Sequence, residues 1–101
     1  MDNDPDKISC RTPTPGKQAT RIPRWKFELL RKHLLALIPV EMPGVPARQV
    51  PALMKTRLGP KELERLGSLN WHLTTVKLEM EVRGEIERIP RVSPQRLIRK
   101  I

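Results

Sequence analysis

In the second half of the chain, apolar residues recur at helical spacing and then, after Gly84, give way to two short extended runs bounded by prolines. Leu69, Leu73, Val76 and Met80 follow i, i+4, i+7 and i+11, and Trp71, Leu78 and Val82 widen that face to roughly half the circumference. The spacing predicts a helix from Ser68 to Arg83. Ser68 is its expected N-cap, because a serine hydroxyl can accept from an unpaired backbone N–H. Gly84 is its expected stop, because glycine tolerates a positive φ. Glu85 to Ile89 and Gln95 to Ile101 follow as strand candidates around a loop from Pro90 to Pro94. Their register stays open, since Ile86 and Ile89 fall on opposite faces, as do Leu97 and Ile98.

Upstream, Trp25, Leu29, Leu30, Leu34, Leu37 and Ile38 recur at helical intervals between Lys26, Glu28, Arg31 and Lys32. They predict a first helix from about Arg24, closed by Pro39. His33 within it has no second ligand at metal spacing and reads as a surface or boundary histidine. The segment VEMPGVPARQVP excludes a helix until Pro51 and leaves room for a turn and a short strand around Val45 to Gln49. Pro51 suits the first position of a second helix carrying Leu53, Met54 and Leu58. Gly59-Pro60 breaks and restarts it as Pro60 to Leu66, with Gly67 as terminator. Residues 1–23, with Pro5, Pro13, Pro15 and Pro23 and no apolar period, read as a disordered, basic, proline-rich arm. The expected domain is therefore 24–101. Its class is α+β: a winged helix-turn-helix of three main helices with a two-stranded C-terminal wing and a short third strand.

Composition narrows this picture. A chain of 101 residues that is 38% hydrophobic can fill one modest core, with Trp25, Phe27 and Trp71 as its expected packing anchors. Cys10 has no disulfide partner, which fits a reducing cytosol. The acidic start MDNDPDK does not resemble a signal peptide, and no segment approaches the ~18 apolar residues of a membrane span. A soluble, cytoplasmic protein without a membrane partner is expected.

A net charge of +9 favours polyanionic partners. From Arg88 onward no acidic residue occurs, so Arg88, Arg91, Arg96, Arg99 and Lys100 form a basic block on the predicted hairpin, suited to phosphates. On the third main helix, the predicted exposed face carries Asn70, His72, Thr74, Thr75 and Lys77 in its first half. Glu79, Glu81 and Arg83 follow in its second. Amide, imidazole, hydroxyl and ammonium groups can bond base edges or phosphates, whereas glutamates are repelled. Only the N-terminal half suits a groove. Arg11, Lys17, Arg21 and Arg24 let the arm lie along DNA, the plainer alternative being a solvated tail.

Trp71, Thr74 to Leu78, Glu81, Arg83-Gly84, Ile86-Glu87-Arg88 and Pro94 to Leu97 together resemble a family of small, stand-alone bacterial winged-helix proteins of unknown function. More loosely, the segment is similar to the winged-helix module at the N-terminus of Mrr-type restriction proteins. The resemblance spans Trp25 to Lys100 and implies the fold, while the closest family has no activity to lend. Glu85 departs from it, standing where such motifs usually carry an apolar residue.

Two functions are expected to compete on this fold. The first is binding of double-stranded DNA, as in a transcriptional regulator, with Asn70 to Lys77 in the major groove and the wing on the backbone. The alternative is a protein–protein interaction module, signalled by an apolar patch around Met42, Val45 or Val92. Catalysis is not expected: His33 and His72 lie on different helices, Glu79 and Glu81 point apart, and there is no phosphate loop, metal-ligand cluster or cofactor motif. Oligomeric state stays open.

Overall fold

The computed structural model describes residues 6–100. The first five positions of the expected arm, and position 101 of the expected domain, lie outside the described residues. The described chain is a mixed α+β fold with four helices and two small sheets.

Residues 7–23, expected as a disordered arm, form a β-hairpin instead. Strands β1 (Lys7–Cys10) and β2 (Thr20–Pro23) pair antiparallel, with Ile8 opposite Ile22 and Cys10 opposite Thr20. Too few apolar groups lie here for a local core, but the hairpin borrows one: Cys10 and Ile22 are buried within the main cluster, and Ile8 packs against it. At about 1.5 to 3 kcal/mol for each fully buried aliphatic side chain, that docking helps offset the entropy of ordering the strands.

Helix α1 (Arg24–Leu37) runs directly from β2 and buries Phe27, Leu30 and Leu34. The Ile38 N–H closes it on the Leu34 carbonyl before Pro39. Strand β3 (Val45–Pro46) and a single 3-10 turn (Ala47–Gln49) lead into α2 (Val50–Arg57), with Pro51 in its first turn. Gly44 allows this path. Its φ is +74°, and a Cβ there would collide with the Leu97 carbonyl oxygen. Helix α3 (Pro60–Leu66) starts at Gly59, whose N–H donates to the Glu62 carboxylate at 2.9 Å.

Helix α4 (Leu69–Arg83) has the expected caps, with the Ser68 hydroxyl accepting from the Trp71 N–H at 3.3 Å and Gly84 left-handed at φ 76°. Strands β4 (Ile86–Arg88) and β5 (Arg96–Arg99) are shorter than expected and pair with Arg88 opposite Leu97. Because β4 ends at Arg88, Ile89 leaves the alternation, and it is buried along with Ile86. In the three-stranded sheet the order is β3-β5-β4, all antiparallel.

Helix α1 packs on α2, α4 and the hairpin, and α4 touches every neighbouring layer. The core faces inward along Leu69, Leu73, Val76 and Met80. Two expected anchors stand outside it: Trp25 is 38% exposed and Trp71 is 50% exposed. Trp71 follows Leu69 by two residues, or about 200° around the helix, which turns it to solvent. Leu78 and Val82 stay half-buried and lie outside the core cluster.

Glu79, expected on the solvated side, is only 1% exposed. Its Oε1 accepts from the Arg11 backbone N–H at 2.7 Å, and its Oε2 accepts from the Arg11 and Arg83 guanidiniums, both at 2.8 Å. This clamp joins the end of β1 to the middle of α4. Among the described residues, no helix is long and apolar enough to cross a membrane.

Candidate nucleic-acid interface

The first half of α4 reaches the surface, where Asn70, Trp71 and Thr74 are exposed. Gly67 and Ser68 make the turn into it, so Asn70 stands one residue inside the helix, where the chain emerges from the core. A cleft of about 350 Å³ lies on one side of Asn70, lined by Lys55, Leu63 and Leu69. Another of about 190 Å³ lies on the other, where Asn70, Thr74 and Lys77 face Ala47, Val50 and Pro51. Asn70 is thus the ridge between two hollows. The Ala47 N–H donates to the Gln95 carbonyl at 2.9 Å, which ties this surface to the base of the wing.

The expected contact residues divide by what already holds them. The Asn70 and Thr74 side chains are exposed and make no hydrogen bond among the described residues. Thr75 is half-buried and donates its hydroxyl to the Trp71 carbonyl at 2.9 Å. His72 is engaged twice, through Nδ1 with the Ser68 carbonyl at 2.7 Å and through Nε2 with Lys26 Nζ at 3.4 Å. Lys77 is half-buried and pairs with Glu81 at 3.1 Å.

The basic block of the wing is similarly divided. Arg88 donates to the second oxygen of Glu81 at 2.8 Å, so one carboxylate restrains two expected contacts. Lys100 pairs with Glu87 at 3.4 Å. Arg99 donates to the Ile38 carbonyl, at the end of α1, at 3.3 Å. Arg96 donates to the Pro43 and Gly44 carbonyls at 2.7 and 3.2 Å, an arrangement that fixes its position without neutralising its charge. Arg91 stands exposed in the wing loop at φ 63° and forms no ion pair among the described residues.

Lys55 on α2, a cation that sequence reasoning passed over, shares a cleft with Asn70. It and Arg48, on the 3-10 turn, are exposed and unpaired among the described residues. The excess of basic over acidic residues between 45 and 67 was the available signal, but only the packing of α2 beside α4 brings Lys55 next to Asn70. Glu85, the departure noted above, is taken up by bidentate hydrogen bonds from Arg31 of α1. Of the apolar residues singled out for a protein patch, Met42 and Val92 are exposed, while Val45 pairs with Leu97 and is buried.

His33 accepts from the Arg57 guanidinium at 3.0 Å, and burial, reinforced by the Arg57 and Lys32 charges, holds it below the ordinary histidine range. Among the described residues no group of three His, Cys, Asp or Glu side chains could hold a metal ion.

The model of one protein family, described as a family of unknown function (DUF6958), matches residues 7–97 of the chain. No curated protein and no solved structure matches it.

Proposed function

Because the chain belongs to this family of unknown function, which lends it no activity, its own surface must carry the reading, and we propose a winged-helix protein that binds double-stranded DNA. In this reading the first half of α4 enters the major groove, the wing follows the backbone, and the protein acts in the cytoplasm as a transcriptional regulator, by binding alone and without a cofactor.

The observation that carries it is the exposed pair Asn70 and Thr74, unbonded among the described residues, with Lys55 lining the cleft beside Asn70 and with Arg48, Arg91 and Arg96 free of carboxylate partners among the described residues. Free hydrogen-bonding groups on a helix together with free cations on the same small domain supply the two kinds of group that a base-edge contact and its phosphate supports require. Further support comes from the element order. A strand between the first two helices pairs with the last strand of a C-terminal hairpin, in the order β3-β5-β4, and this is the order a winged-helix reading calls for.

Titration of a random duplex across salt tests this reading. Four phosphate-facing cations predict a slope of about −3 to −4 in log affinity against log salt. No binding at low salt, or a flat salt response, would sink the proposal.

One observation favours a second reading, a protein-docking module. Trp71, Leu78 and Val82 form an apolar line on α4 outside the core, the kind of surface a partner helix covers. It gains ground if duplex DNA is not bound.

A further inference from the structure

We infer that the α4 face reads A·T pairs in the major groove, taking an adenine edge with Asn70 and thymine methyl groups with Trp71, Thr75 and Leu78. The inference rests on the DNA-binding reading above and names its substrate class.

It follows from which chemical groups α4 still has free. Guanine is best read by a bidentate arginine or lysine, and cytosine by a carboxylate that accepts from its amino group. Neither is at liberty on this helix. Lys77 is held by Glu81, Arg83 by the buried Glu79, and Glu81 is itself occupied by Lys77 and Arg88. Among the described residues, the exposed polar side-chain groups of α4 without a hydrogen bond are the Asn70 amide, the Thr74 hydroxyl and the Trp71 indole N–H. An amide can bond adenine at N6 and N7 together, whereas a threonine hydroxyl discriminates little.

The rest of the outward arc is apolar. The Trp71 ring is half exposed, Leu78 lies seven residues on and so nearly in line with it, and Thr75 has turned its hydroxyl back onto the helix. In a groove of hydrogen-bonding edges, the 5-methyl of thymine is the apolar group such a surface can cover. The indole also packs edge-on against His72, with 4.9 Å between ring centres, and His72 is engaged at both nitrogens. An apolar contact held in one orientation discriminates better than a mobile one.

The test compares three duplexes of equal length and charge by fluorescence anisotropy, using the full chain over a range of salt concentrations from low to moderate. The first is A·T-rich, the second replaces every thymidine by deoxyuridine, which removes only the methyl group, and the third is G·C-rich. The expected result is a loss of about four-fold in affinity per covered methyl on going to deoxyuridine, and a loss of about five- to a hundred-fold for the G·C duplex. Asn70→Ala should reduce the A·T over G·C preference, and Trp71→Ala should reduce the thymidine over deoxyuridine preference. Both leave the salt slope intact. Equal affinity for all three duplexes overturns the inference while DNA binding stands. Failure to bind any of them at low salt overturns both together.

Discussion

At the scale of single residues, Glu79 shows how position reverses an expectation. Its place in the second half of a helix, two residues from Glu81, reads as solvated, yet it is buried beneath the hairpin and held by Arg11 and Arg83. Burial alone would push its carboxyl up, but hydrogen bonds from the Arg11 side chain and backbone and from Arg83 outweigh that, and its pKa is lowered from 4.5 to about 2. A carboxyl depressed on folding adds stability above its unfolded value and loses it as pH falls through the folded one. Stability should therefore decline between about pH 5 and 2, and Glu79→Gln should flatten that decline. Urea denaturation at pH 7 should find the variant less stable by about 2 kcal/mol. This is below the 3 to 5 kcal/mol of a wholly buried pair, because the Arg11 side chain is 57% exposed and can return to water. A variant with the same pH profile as the original chain would show that the clamp contributes nothing. The contact residues are a similar case. Their types were legible in the sequence, but which of them are unoccupied was not, because Lys77, Arg88 and Lys100 are held by carboxylates whose reach depends on the fold.

At the scale of elements, the helices could be read closely from caps and breaks, and the two C-terminal strands could be placed though not bounded. Ser68, Gly84, Pro51 and the Gly59-Pro60 corner act within a turn of their own position, so sequence suffices for them. The hairpin of β1 and β2 escaped because its only local signals are Ile8 and Cys10 on one strand and Ile22 on the other, and its stability comes from the surface it docks on. On α4 the two apolar lines looked alike in sequence. Only one meets α1 and the core, which leaves Trp71 outside. One element-level device can be tested. Glu81 holds Lys77 on its own helix and Arg88 on β4, so Glu81→Gln should release both cations toward phosphate. Under the DNA-binding reading, affinity for a random duplex rises and the salt slope steepens by about one to two. Unchanged affinity and slope would mean that these two cations lie away from the nucleic acid.

For the molecule as a whole, the question is whether the hairpin belongs to the same cooperative unit as the rest. Cys10 provides the probe, because burial, with the Glu79 charge second, raises its pKa from 9.0 to about 11. In the folded protein at pH 8 its thiolate is scarce and covered, so a disulfide reagent should label it slower by orders of magnitude than in urea. If the hairpin opens only with global unfolding, labelling and denaturation should report the same free energy, and Glu79→Gln should speed both. Rapid labelling of the native chain would mark the hairpin as a separately opening flap. Sequence by itself determined the mixed α+β class, the bounds of the main helices and the basic balance, because caps, breaks and net charge are local or additive properties. Tertiary structure alone decided that the N-terminal segment is a strand pair, that Glu79 is inside and Trp71 outside, and which cations remain uncompensated. Each of these depends on which surface meets which, and no local pattern contains that information.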